Sequence, residues 1–151
     1  MDVPEAPVEP TEHGLVCKSD GWFVVNAREL RWYESEGRGR FSNFGGDTVF
    51  DQLGSGSRSS AGTADVDVWE NDHEDLLVLS GEATLIREGL ERPLRQWDFV
   101  HCPPYTEHTI VGGSCVVLGV GSRERGPRRD EAYARFPPRT PVRYGGWLDS
   151  L

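Results

Sequence analysis

From Glu74 to Val120 the chain is cut by glycine and proline into apolar runs of strand length, and that punctuation most limits the folds open to it. Glu74 to Ser80 and Glu82 to Arg87 flank Gly81. A turn at Arg87-Glu88-Gly89 then leads toward Arg92-Pro93-Leu94, and Asp98 to Cys102, Glu107 to Val111 and Cys115 to Val120 follow, broken at Pro103-Pro104 and Gly112-Gly113. Apolar runs this short, bounded by turn residues, suit strands better than helices. The expected arrangement is a β-meander. If its ends meet, it closes its own hydrogen-bond edges, so a single closed barrel is the economical architecture.

The flanks carry weaker signals. The 151 residues can bury one continuous core,. Residues 1–20 are polar and proline-rich and are expected to form a flexible arm or an edge lying over the barrel, with one domain running from 21 to 151,. Within that domain Trp22 to Val25 reads as a buried strand, Asn26 to Leu30 as a single helical turn, Glu34 to Asp47 as a loop, and Thr48 to Leu53 as a second strand. Asp65 to Glu70 alternates polar and apolar residues with the period of two that marks a half-buried strand. Asp130 to Phe136 is expected to be a short helix stopped by Pro137-Pro138. The tail, 122–151, ends in an aromatic segment expected to pack back on the barrel. Gly54 to Thr63 contains no large apolar side chain. Gly54-Ser55-Gly56-Ser57 resembles a phosphate loop but lacks the lysine and the strand-to-helix context, so it reads as a flexible stretch.

Charge removes some partners. Twenty-five acidic against sixteen basic residues give a net charge of −9, which repels a phosphate backbone, so nucleic acid is excluded. No run approaches the length of a membrane helix, and the first residues lack the basic and apolar regions of a signal peptide; a cytoplasmic protein is expected, without a membrane partner. Cys17, Cys102 and Cys115 are an odd number without metal-ligand spacing and are expected to be reduced thiols,.

Two segments concentrate the side chains that can do chemistry: Trp-Glu-Asn-Asp-His-Glu-Asp-Leu-Leu-Val-Leu-Ser-Gly over 69–81, and Trp-Asp-Phe-Val-His-Cys-Pro-Pro-Tyr-Thr-Glu-His over 97–108. Six residues separate Glu74 from Gly81, and Asp98, Pro103 and His108 recur in a fixed order. These segments resemble the two motifs of the cupin superfamily, in particular its small single-domain bacterial members. The resemblance covers roughly 64–121. It implies an all-β fold, a jelly-roll-like barrel with short helical segments at the termini, and a metal or small-molecule site inside it.

By that resemblance His108 and Glu74 are metal ligands, and Glu74 and His108 are the candidate catalytic pair. The usual first motif has two histidines ahead of the acid, and the matching positions here hold Val68 and Glu70. The remaining donors are Glu70, Glu74 and His108. They suit iron, manganese, nickel or zinc, or no ion, since one ligand is missing. The implied activities are isomerisation, decarboxylation or oxygenation of a small molecule. The alternative is a barrel that binds a small ligand without chemistry, and in either case a homodimer.

Plainer readings stand beside these. Glu70 and Glu74 also fit an acidic, solvated loop with Asp72 and Asp75, and His108 a purely hydrogen-bonding role. His73 and His13 read as surface residues. His101 and Cys102 fall on opposite faces of one strand, His101 as a structural or dimer-surface residue and Cys102 as a core thiol. Trp69, Trp97 and Tyr105 read as packing residues, Tyr105 standing where the family usually has glycine.

The resemblance also implies an apolar strand and a histidine over 54–68. With suitable synonymous codons, residues 54–60 read in one shifted frame permit Leu-Gly-Leu-Ala-Val-Leu, and residues 61–67 in another permit Pro-Gly-Gln-Pro-Met-Ser-Met. A pair of compensating frameshifts in the gene is therefore a hypothesis for this stretch, and codons that do not permit those readings remove it.

Overall fold

The computed structural model describes residues 3–36, 39–46, 53–62, 68–69, 72–87, 89–122 and 138–145. Among these residues every helix or strand is a strand: β1 (Val8–Thr11), β2 (Gly14–Cys17), β3 (Trp32–Ser35), β4 (Gly39–Asn43), β5 (Leu53–Gly62), β6 (Val68–Trp69), β7 (Glu74–Arg87), β8 (Leu90–Arg95), β9 (Phe99–Cys102), β10 (Glu107–Ser122) and β11 (Thr140–Val142). The described part of the chain is all-β, as its punctuation implies.

β1 and β2 form a separate hairpin, and the other strands pair in the order β11-β3-β4-β5-β10-β7-β8, with β6 added to β10 and β9 to β7. Every named strand pairing is antiparallel. The pairings among the described residues make a branched path. β7 and β10 run side by side along most of their length, with register shifts between Val111 and Cys115 and between Val116 and Val117. The first part of β7 has β9 as its other neighbour and the second part has β8. β10 likewise meets β6 at its start and β5 along its second half. Each long strand thus serves two sheet segments, and bulges of this kind let a strand bend from one to the other.

Alternation builds the core. Glu74, Leu76 and Val78 share one face of β7, and Val100 and Cys102 share one face of β9. Val78, Ala83, Leu85, Leu94, Ile110, Cys115 and Val117 form a buried cluster, with Leu76 and Val100 packed against it. Val16, Cys17, Leu30 and Trp32 are also buried, at 0–2% exposure. The Trp32 indole Nε1–H donates to the Ala27 carbonyl at 2.9 Å, so its polar atom is satisfied inside,.

Several local expectations give way to long-range pairing. The N-terminal segment forms the β1–β2 hairpin, and Gly14 lets it lie close on the chain: a Cβ there would stand 2.7 Å from the Leu30 carbonyl. Trp22 to Val25 is not a buried strand; Trp22 is 52% and Val24 84% exposed, and Trp22 meets Glu5 in an isolated bridge rather than a ladder. Asn26 to Leu30 is a turn rather than a helical turn, with Asn26 accepting from the Arg28 and Glu29 amides at 2.9 Å.

The expected loop from Glu34 to Asp47 contains β4. The stretch read as flexible is β5, which pairs with β4 on one side and β10 on the other. Its ladder uses backbone groups alone, so two flanking partners can hold a glycine- and serine-rich strand that side-chain propensity disfavours. Trp97 is 66% exposed rather than packed, and stands at φ 73 in the turn closed by Asp98 N–H to the Arg95 carbonyl. The helix expected over Asp130 to Phe136, the strand residues 48–52, and 65–67 of the alternating segment lie outside the described residues.

Candidate functional site

Glu74 opens β7 on its inward face, and the β7–β9 register sets Cys102 directly opposite it. On the other side of β7, Gly121 pairs with Glu74 and Gly119 with Leu76. A Cβ on Gly119 would stand 3.3 Å from Leu76 Cδ2 and 3.9 Å from Glu74 Oε1. The tight approach is therefore to Leu76, while the carboxylate lies at ordinary contact distance.

His108 arrives from the next connection. After the Pro103-Pro104 bend the Thr106 amide donates to the Pro103 carbonyl at 3.3 Å, and β10 starts one residue later. The turn passes through Tyr105 at φ 64, the left-handed region that favours glycine, which accounts physically for the glycine expected there,. His108 is 4% exposed. Its Nε2 lies 2.7 Å from Glu74 Oε2, and its Nδ1 lies 2.9 Å from the Thr106 carbonyl oxygen.

Both contacts fix protons. A carbonyl oxygen only accepts, so Nδ1 carries hydrogen; an ionised carboxylate only accepts, so Nε2 carries one as well. The ring is then an imidazolium. Burial pushes its pKa down, but the Cys102 side chain, the hydrogen bond and charge of Glu74 and the Thr106 carbonyl outweigh burial and raise it to about 10,. The Glu74 side chain is 20% exposed against 5% for His108, so Glu74 is the more open member of the pair.

A second histidine–carboxylate pair shows what environment contributes. His101 Nδ1 lies 2.6 Å from Asp75 Oδ1, but these side chains are 50% and 44% exposed on the outward face. His73 stacks on His101 with ring centroids 5.5 Å apart. The same chemistry is solvated here and enclosed at His108.

The structure thus brings together two of the three sequence-derived donors, Glu74 and His108, across 34 positions. Glu70 lies outside the described residues. The backbone of Val68 pairs opposite His108 in the β6–β10 register. His101 and Cys102 do face opposite ways, exposed and buried. His73 is exposed, while His13 is half-buried with Nε2 3.8 Å from Glu12. What residue reading missed is that Cys102 touches the site: alternation turns it inward, but only strand pairing sets it opposite Glu74.

Catalytic divalent ions are usually held by three protein ligands. Among the described residues no group of three histidine, cysteine or acidic side chains can hold one. Glu74 and His108 are two donors already bonded to each other.

No family model matches the chain, and no curated protein does. Solved structures do. A protein from Planctomyces limnophilus is 19% identical, with 66% of this chain and 87% of that one covered, at a TM-score of 0.56. The DMSP lyase DddQ from Ruegeria pomeroyi DSS-3 is 20% identical at a TM-score of 0.50; the match covers 68% of this chain but only half of the lyase. A Cupin 2 conserved barrel domain protein from Salinispora arenicola CNS-205 is 20% identical at a TM-score of 0.47, with 64% and 83% covered. The likeness is one of fold.

Proposed function

We propose that this chain is a cupin-superfamily protein that binds a small polar molecule at the inner face of its sheets, with the Glu74–His108 pair as the polar centre. The observation that carries the reading is the 2.7 Å contact between a buried imidazolium and a carboxylate that still reaches solvent. A structural ion pair needs no open end. The Glu74 side chain keeps 20% of its surface in water, and a carboxylate that takes one hydrogen bond from His108 has lone pairs left to accept a ligand hydroxyl; charge-assisted hydrogen bonds out of water are strong and orienting. A pair that shares a proton also fits acid–base work on a bound substrate, with Glu74 as the accepting group.

The metal-dependent reading, with Glu70, Glu74 and His108 around iron, manganese, nickel or zinc and an isomerase, decarboxylase or oxygenase activity, is separated by the same experiment. Untagged wild-type protein and His108→Ala are compared by elemental analysis and by a thermal-shift screen of sugars, sugar acids and small carboxylates. A compound that raises the unfolding temperature of the wild type but not of the variant supports the binding reading. Near-stoichiometric metal that disappears in the variant favours the metalloenzyme. Ligand responses that persist unchanged in His108→Ala sink the assignment of the site.

Exposed Trp97 and Phe99, at 66% and 62%, support pairing of two copies through the outward face of β9,. Light scattering that returns the monomer mass removes that part.

A further inference from the structure

The outward histidines differ from His108 in what their ring nitrogens have left to offer. At His108 both are engaged, one with the Thr106 carbonyl and one with Glu74. At His101 only Nδ1 is engaged, 2.6 Å from Asp75 Oδ1. An ionised carboxylate only accepts, so Nδ1 carries the hydrogen and the neutral ring keeps its lone pair on Nε2. Neither that nitrogen nor the His73 ring makes a hydrogen bond among the described residues, and both histidines are exposed.

Strand register assembles the group. His101 of β9 pairs directly with Asp75 of β7, and directly opposed residues keep their side chains on one face. His73 stands two residues before Asp75, and alternation brings it to the same side. Its carbonyl accepts from the Ser122 amide at 3.0 Å, which ties this end of the segment to β10. The two rings lie with centroids 5.5 Å apart and planes 26° from parallel.

That spacing is close to what one metal ion asks of two imidazoles. A ligating nitrogen sits about 2 Å from zinc and the ring centre roughly 1 Å further on, so two rings bound at a tetrahedral angle have centroids about 5 Å apart. What remains is rotation of the exposed His73 ring, which no hydrogen bond holds. Asp75 has the place of the outer carboxylate that fixes the tautomer of a metal-bound histidine and raises its basicity.

Two protein ligands make an open site whose other positions belong to water, in keeping with the lack of a three-residue group among the described residues. Imidazole donors select copper, nickel or zinc over magnesium or calcium. The net charge of −9 favours a cation at the surface,.

We propose that His73 and His101 form an exposed two-imidazole site for a divalent ion of the zinc, nickel or copper class, with Asp75 as the positioning residue of His101. The site lies on the opposite face of β7 and β9 from Glu74 and Cys102, and it stands independently of the role given to the Glu74–His108 pair.

Zinc chloride is titrated into the untagged full chain, and the ring signals of its four histidines are followed by NMR. Joint, saturable shifts of His73 and His101 are expected with zinc and none with magnesium chloride. In His73→Ala the zinc affinity falls by about tenfold or more, the loss of one of two linked ligands. In Asp75→Asn, which keeps both ligands but removes the charge behind His101, it falls by about tenfold. In His108→Ala it is unchanged. No saturable shift with zinc, equal affinity in wild type and His73→Ala, or affinity lost in His108→Ala rather than in the outward variants overturns the proposal. If His73→Ala does not fold, His101→Ala decides it by the same criterion.

Discussion

Replacing Glu74 by glutamine keeps the shape of the side chain and removes its charge. In the wild type the His108 pKa is raised from 6.5 to about 10. A group whose folded pKa lies above its unfolded value binds more protons when folded, so its stabilisation is fully present below about pH 6.5 and is lost as pH rises through about 10. Each pH unit inside that window removes about 1.4 kcal/mol. Between roughly pH 7 and pH 9 the His108 contribution therefore falls by on the order of 3 kcal/mol. In Glu74→Gln the anion is gone, burial, already the largest single influence on the ring, is opposed by less, and this slope flattens.

Removing one partner of an enclosed pair costs about 3–5 kcal/mol near neutral pH. The lower end applies here, because the Glu74 side chain keeps 20% of its surface in water. Urea unfolding of both proteins at several pH values in this window measures the difference directly. The destabilisation by Glu74→Gln is expected to be greatest near pH 7 and to shrink steadily toward pH 9. A difference that is constant with pH, or that grows, would refute the imidazolium–carboxylate description of the pair.

The outward pair supplies the contrast: His101→Ala breaks a contact of 2.6 Å, as short as the inner one, yet both partners are solvated, so chemical denaturation is expected to show a loss of no more than about 1 kcal/mol, reduced further by added salt. Trp32→Ala removes a fully buried side chain together with its bond to the Ala27 carbonyl. Its cost is expected at about 3–5 kcal/mol in the same assay, and a loss below about 1 kcal/mol would mean that Trp32 packs in a site able to collapse.

Much of the candidate site is legible one residue at a time. The bend at Pro103-Pro104 announces the start of β10, and His108 follows it. Strict alternation sends Cys102 inward and His101 outward before any coordinates are considered. The misreadings share one cause. Trp22 to Val25 has the composition of a buried strand but makes an isolated bridge at Trp22 instead of a ladder, whereas β5 has almost no apolar side chain but pairs with two strands. Local composition measures what a segment prefers, and sheet membership depends on which distant backbone groups need partners.

The primary structure alone determined the all-β character, the turn positions within the meander and which side chains share a strand face, because turn chemistry and the period of two act over a few residues. The tertiary structure decided that Glu74 meets His108 across 34 positions, that Cys102 sits opposite Glu74, that a glycine- and serine-rich segment runs between β4 and β10, and that Arg31 and Arg139 gather on Tyr33. Those outcomes depend on strand register, which is set by the collective pairing of remote backbone groups rather than by any residue's immediate neighbours.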